Sequence, residues 1–269
     1  MATRVLCFGE LLLRLGAPGR ELLLQSRHLD VHVGGAETNV AVSLARFGHR
    51  SALAGTVAAN ALGDGALGEL RRHGVDVSRV ARADGRMGLY FFAAGAGLRP
   101  SDVVYDRADS AFARAAAASY DWPALLDGVD CLHVSGVTPA VGPNAAESAL
   151  GAVRAARAQG TTVSFDGNFR PKLWATWNDR PAPLLHGLLA EADIAFIDHR
   201  DIDLVLGPDT SETGAPASAE RTLQASARAF AAFPQLQRIA CTQRTVHSVD
   251  RHALGALLVR RDGSAQRLD

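Results

Sequence analysis

The run Asp166-Gly167-Asn168-Phe169-Arg170-Pro171-Lys172-Leu173-Trp174 gathers an acid, an amide, a guanidinium and the chain's single lysine. A carboxylate accepts hydrogen bonds, an amide donates and accepts, and a guanidinium grips carboxylate or phosphate with a two-point fork. The strand-like run Thr161 to Phe165 comes directly before it. These groups therefore stand at the carboxyl end of a buried strand, where open α/β sheets bind ligands. A polar loop anchored in the core by Trp174 is the plainer alternative.

Val33-Gly34-Gly35-Ala36-Glu37-Thr38-Asn39 leads into a helix. Glycines let backbone N–H groups approach a ligand, and a helix N-terminus favours oxygen-rich groups. Asn39 can donate and accept toward sugar hydroxyls. The alternative is a tight turn with a cap. Tyr90, Tyr105 and Arg107 lie on β-like runs and could cover a small anionic polyol, or the tyrosines could simply pack. Asp198-His199-Arg200-Asp201 follows another strand and could hold Mg²⁺ through water, or Asp198 could cap a helix. Gly63-Asp64-Gly65-Ala66-Leu67-Gly68 matches GxGxxG. It follows the second strand, whereas a dinucleotide fold places it after the first, so it reads as a helix start with small packing residues.

The elements that carry these groups alternate. Apolar runs predict strands at Arg4 to Phe8, Ser51 to Val57, Cys131 to Ser135, Thr161 to Phe165, Ile194 to Ile197 and Arg238 to Thr242. Helices are predicted for Ala36 to Phe47, Asp64 to His73, Asn144 to Ala158, Pro183 to Ala192, Arg200 to Leu206 and Glu220 to Phe233. This order implies an α/β fold with a mostly parallel sheet and helices on both faces. From Val75 to Arg107 short β-like runs (Gly88 to Ala94, Asp102 to Tyr105) replace helices and predict a small β-lid. Residues 209 to 218 read as a Ser/Pro/Gly loop.

Of 269 residues, 48% are hydrophobic, and 28 basic side chains balance 28 acidic ones. That composition is globular and argues against a nucleic-acid surface. With Lys172 as the only lysine, no GxxxxGK[ST] phosphate loop exists. Cys7, Cys131 and Cys241 are scattered in apolar runs without metal spacing, which fits a reducing cytoplasm. Glu10 interrupts the N-terminal apolar stretch, so it does not read as a signal peptide. No run approaches the ~20 apolar residues of a membrane span.

Together these motifs resemble the ribokinase-like (PfkB) carbohydrate kinases. Gly34-Gly35-Ala36-Glu37-Thr38-Asn39 resembles the family's GGAExN substrate segment. Gly63-Asp64 through Gly74-Val75-Asp76-Val77 resembles its GxDxxG…GVD stretch, with Gly65 where an Asp is usual. Gly88-Leu89-Tyr90, Tyr105-Asp106-Arg107, the DxNxRxxLW run from Asp166 to Trp174, Asp198 to Ile202 and Thr242-Gln243-Arg244 are similar to the branch acting on 2-keto-3-deoxygluconate.

The resemblance implies a single ribokinase-like three-layer α/β sandwich over residues 1–269, with a β-lid from about 10–33 and 75–107. Gly35 and Asn39 would bind substrate hydroxyls, and Tyr90 and Tyr105 would wall the sugar. Arg107 and Arg170 would face a substrate carboxylate. Asn168, Thr242 and Arg244 would lie near ATP, and Asp198 and Asp201 stand where the Mg²⁺-associated motif is expected. The implied reaction is ATP-dependent phosphorylation of a sugar acid, 2-keto-3-deoxygluconate to its 6-phosphate, with Mg²⁺ bridging phosphates. A homo-oligomer formed through the lid is expected, with no nucleic-acid or membrane partner. Alternatives are a fructokinase-like kinase, a non-catalytic sugar-acid binding module and, on GxGxxG alone, a nicotinamide oxidoreductase.

The family's GAGD motif, which carries its catalytic base, occurs nowhere in the sequence. The expectation is a kinase body lacking its C-terminal part, with impaired turnover and an apolar sheet face left open beside Arg238 to Thr242 and Ala256 to Arg260.

Overall fold

Strand β1 (Arg4–Phe8) shows why the chain layers as it does. Its side chains alternate: Leu6 and Phe8 enter one apolar cluster, Val5 and Cys7 another on the opposite face. A strand buried on both faces needs helices on both, and the computed structural model supplies them. It describes residues 2–208, 218–248 and 251–268.

After β1 the chain forms β2 (Leu12–Gly16) and β3 (Asp30–Gly34), then α1 (Ala36–Arg46), β4 (Arg50–Ala58), α2 (Ala61–Arg72) and β5 (Val80–Ala83). Strands β6 (Gly88–Ala93) and β7 (Asp102–Asp106) precede the short helices α3 (Ala111–Arg114) and α4 (Trp122–Leu125). Next come β8 (Cys131–Ser135), α5 (Val137–Ala140), α6 (Pro143–Ala158), β9 (Thr162–Asp166), α7 (Pro171–Trp174) and α8 (Ala182–Leu189). Strand β10 (Ile194–Phe196), α9 (His199–Leu206), α10 (Ser218–Ala232), β11 (Arg238–Ser248), β12 (Arg251–Arg260) and β13 (Ala265–Leu268) follow.

The described residues make a nine-stranded sheet in the order β13-β12-β11-β10-β9-β8-β1-β4-β5 and a four-stranded sheet in the order β3-β2-β6-β7. From β5 to β11 the large sheet is parallel, and β12 and β13 add antiparallel to it. This is the expected α/β architecture with a mostly parallel sheet. Ala145, Ala149, Ala152 and Ala156 line α6 and let it sit close on Leu132, Val134 and Val163. Ala41 of α1 and Ala66, Leu67 and Leu70 of α2 fill the other face near β1 and β4.

Several boundaries differ from the sequence reading. Helix α2 starts at Ala61, because the Asn60 side chain accepts from the N–H groups of Leu62 and Gly63; Asp64 is already inside the first turn. Within the GxGxxG look-alike, a Cβ on Gly63 would overlap the Ala58 carbonyl, so that glycine serves helix–strand packing. Strand β5 pairs parallel with β4, so Val80 to Ala83 belongs to the large sheet and the second run of the small sheet begins at Gly88. Strands β11 and β12 extend well past Thr242 and start well before Ala256, as one long antiparallel hairpin. The expected 209–218 loop lies outside the described residues as far as 217.

Helix α10, with Ala225, Ala229 and Phe230, and Phe233 just after it cover one face of the sheet near Ala195, Ile239, Leu257 and Val259. On the opposite face of β10, Phe196 is 45% exposed and meets the His133 ring edge-on at 6.4 Å. No helix among the described residues is long and apolar enough to cross a membrane.

Candidate active site

The end of β3 turns into α1 through Gly35, at φ +148°. A Cβ there would overlap the Glu10 carbonyl and lie 2.8 Å from Thr38 Oγ1, so only glycine fits. Helix α1 begins without a side-chain cap, which leaves its first N–H groups for a ligand. Asn39 is exposed in the first turn.

Beneath this turn Glu37 is 1% exposed. Its Oε1 accepts from the Ser135 N–H (3.0 Å), the Ser135 hydroxyl (2.6 Å) and the Thr138 hydroxyl (2.7 Å). Burial pushes its carboxyl pKa up, against the pull of those hydrogen bonds and of the Arg107 charge. Glu37 thus ties the start of α1 to the carboxyl end of β8.

The small sheet carries an aromatic rung. Tyr90 and Tyr105 are directly opposite on β6 and β7, their ring centroids 6.4 Å apart. Arg14 of β2 is in register with Tyr90 and therefore shares that face. Its guanidinium lies 5.9 Å from the Phe92 ring, and its Nε is buried without a partner. Tyr105 and Phe169 both pack against the larger core cluster. Lys172 reaches Asp102 at 3.3 Å, tying the start of β7 to α7.

Arg107 is the site residue whose placement differs most from expectation. It is 5% exposed, and its Nε donates to Glu10 Oε2 at 2.6 Å. The Ser110 hydroxyl donates to the other Glu10 oxygen at 2.5 Å. The charge of Arg107 is thus already balanced by Glu10. Arg170, by contrast, is exposed, its Nη1 bonds only the carbonyl of Phe169, and no carboxylate among the described residues pairs with it.

A cavity of about 820 Å³ opens at the carboxyl ends of β9, β10 and β11. Asp166, Asn168, Arg170, Asp198, Asp201 and Thr242 all line it. Asn168 has φ +36°, a left-handed conformation asparagine tolerates, and its N–H donates to Asp166 Oδ1 at 3.1 Å. Burial pushes Asp166 up to about 6, and the charges of Glu37 and Asp201 add to the rise. Burial likewise pushes Asp201 up to about 6. Arg244 is not brought to this cavity: it lies farther along the exposed β11–β12 hairpin, beside His252.

The Mg²⁺ role expected of Asp198 and Asp201 meets a different arrangement. Asp198 caps α9, accepting from the Arg200 N–H at 2.8 Å, and Asp201 Oδ2 accepts from the Asp198 N–H at 3.0 Å. Burial opposes ionisation of Asp198, but the Arg200 hydrogen bonds outweigh it and lower the pKa. Among the described residues no cluster of three or more His, Cys, Asp or Glu side chains is arranged to hold a metal ion. Asp198 and Asp201 are thus engaged in capping α9.

Glu10, Arg14, Glu37 and Ser110 are the residues that sequence reasoning left out of the site. One signal was available for Glu10: an acid inside the apolar run Val5 to Leu15 must find a partner if it is buried.

Residues 2–231 match the family described as pfkB family carbohydrate kinase. A 2-dehydro-3-deoxygalactonokinase of Haloferax volcanii is 34% identical over 211 residues, covering 78% of this chain and 65% of that protein. A 2-dehydro-3-deoxygluconokinase of Bacillus subtilis is 34% identical over 188 residues, covering 67% of this chain and 55% of that protein. The match thus spans less than two thirds of either relative's own length. The crystal structure of 2-dehydro-3-deoxygluconokinase from Thermotoga maritima has a TM-score of 0.89 at 32% identity, covering 98% of this chain and 79% of that one.

Proposed function

Since the chain belongs to the pfkB family of carbohydrate kinases, we propose that it binds a 2-keto-3-deoxy sugar acid and presents its terminal hydroxyl for phosphorylation by ATP. The observation that carries this reading is the exposed Arg170 guanidinium, which makes no salt bridge to a carboxylate among the described residues; the Tyr90–Tyr105 rung and the uncapped start of α1 add to it. A polyol with a carboxylate matches each part. The Gly35 turn and Asn39 meet hydroxyls, the tyrosines wall the carbon chain, and Arg170 grips the carboxylate. The relatives named for 2-dehydro-3-deoxygluconate and 2-dehydro-3-deoxygalactonate support that substrate class.

In the transfer, the bond between the γ-phosphorus and the bridging oxygen of ATP breaks and a new one forms to the substrate oxygen. ADP leaves, and the hydroxyl proton passes to a base. The phosphates would occupy the cavity at the ends of β9 to β11, beside Asn168 and Thr242. Mg²⁺ carried in with the nucleotide would spread the developing charge. The small sheet, held to α7 through Lys172 and Asp102, would keep water from competing for the phosphoryl group.

A second reading is sugar-acid binding without turnover. It uses the same contacts. One experiment separates the two. Calorimetric titration with 2-keto-3-deoxygluconate and 2-keto-3-deoxygalactonate is followed by a coupled ADP-release assay with ATP and Mg²⁺. Binding with substrate-dependent ADP release supports the kinase reading. Binding without it supports the second. No binding of either acid refutes both.

A further inference from the structure

The chain passes between the two sheets four times: from β1 to β2, from β3 to α1, from β5 to β6 and from β7 to α3. Glu10 touches all four crossings. It lies in the first. Its backbone carbonyl sits where a Cβ on Gly35 would be, and its carboxylate where a Cβ on Gly88 would be. Its two carboxylate oxygens take the Arg107 Nε (2.6 Å) and the Ser110 hydroxyl (2.5 Å). At 1% exposure this carboxylate is shut off from water, and all its hydrogen bonds come from the β7–α3 crossing.

We infer that Glu10 is a positioning residue for substrate recognition: it fixes the plane of the Arg107 guanidinium, so that the outer nitrogens are aimed at the carboxylate of a sugar acid. The inference rests on the sugar-acid reading above. A guanidinium carries five N–H donors, and an acceptor at Nε leaves the four on the two terminal nitrogens for a ligand. The geometry lets a buried Arg107 keep its two terminal nitrogens out of the ion pair. Glu10 balances its charge from behind and fixes its orientation, and two glycines give Glu10 the room to do so. A side chain on Gly88 would displace the carboxylate, and one on Gly35 would displace its backbone.

Two conservative variants separate orientation from charge. Glu10→Gln keeps the reach of the side chain and an oxygen to accept from Nε, but removes the charge. Glu10→Asp keeps the charge but draws it back by one methylene. Orientation predicts that the Asp variant binds 2-keto-3-deoxygluconate about tenfold more weakly by calorimetry while the Gln variant stays within about threefold. Thermal unfolding of both variants confirms that they fold. The opposite order, with Asp retained and Gln lost, would show that Glu10 acts through charge alone and overturns the inference. Equal binding by all three chains overturns it as well. A parent chain that binds no sugar acid refutes the underlying reading instead, and the inference falls with it.

Discussion

Asp201 makes Asp166 harder to ionise. Both carboxylates line the cavity at the carboxyl ends of β9 and β10, and burial pushes each up to about 6. Gly167 permits the approach, since a Cβ there would lie 2.9 Å from the Asp201 carboxyl carbon. The two carboxyls therefore hold their protons to a higher pH than an exposed aspartate does.

The sign of the pH dependence follows from those shifts. In the unfolded chain both acids titrate near the ordinary aspartate value of 3.8, so between that pH and about 6 the folded chain holds more protons. Stability therefore falls as pH rises through this window and the cost is complete above it. Asp201→Asn can still accept from the Asp198 N–H and has no charge to bury. We expect it to raise Tm by about 2–4 °C at pH 8 and to change it little at pH 4. A gain of equal size at both pH values would contradict the burial argument.

Glu37 provides a test of how the floor of the cleft is held. Replacing it by Ala leaves one N–H and two hydroxyls, on Ser135 and Thr138, without their acceptor. The expected loss is about 2–4 kcal/mol, read from urea unfolding. Glu37→Gln keeps an oxygen at the same place and should lose less than half of that. If Ala and Gln were equally harmful, the charge of Glu37 and not its acceptor role would be what matters.

Gly35→Ala should damage both the fold and binding. The residue sits at φ +148°, and the added carbon would overlap the Glu10 carbonyl. Backbone strain of this kind costs on the order of 1–3 kcal/mol before any clash is counted. The expected outcome is a lowered Tm together with no detectable heat on titration with 2-keto-3-deoxygluconate. An Ala variant with the parent's Tm would mean that the turn relaxes freely.

The sequence revealed the parts of this architecture whose signals are local. Val5 to Phe8, Leu132 to Val134 and Val163 to Phe165 read as buried strands because apolar runs end at polar groups, and the site residues Asn168 and Arg170 follow directly. Signals that depend on a distant partner were missed. The lid expected over 75–107 included Val80 to Ala83, whose partner β4 is more than twenty residues earlier. The strand predicted to end at Thr242 runs on because Arg244 and Thr245 pair with Leu254 and Ala253. Glu10 meets its ionic partner 97 residues away, and no spacing rule links the two. Asp64 misled for the opposite reason, because Asn60, four residues earlier, already capped the helix.

Arg170 carries the sharpest test of substrate class. Its side chain is exposed and bonds only the neighbouring Phe169 carbonyl, so removing it should leave Tm unchanged. Unlike Arg107 and Lys172, it makes no salt bridge to a carboxylate among the described residues. A charged hydrogen bond to the substrate is worth about 1.5–3 kcal/mol, so Arg170→Ala should weaken 2-keto-3-deoxygluconate binding by roughly 10–100-fold. Arg170→Lys keeps the charge but not the two-point fork and should fall between the parent and Ala. Fructose, which has no carboxylate, should bind all three chains alike. If fructose and the sugar acid weakened together, Arg170 would be shaping the cleft instead of reading the acid, and the substrate would belong among neutral sugars.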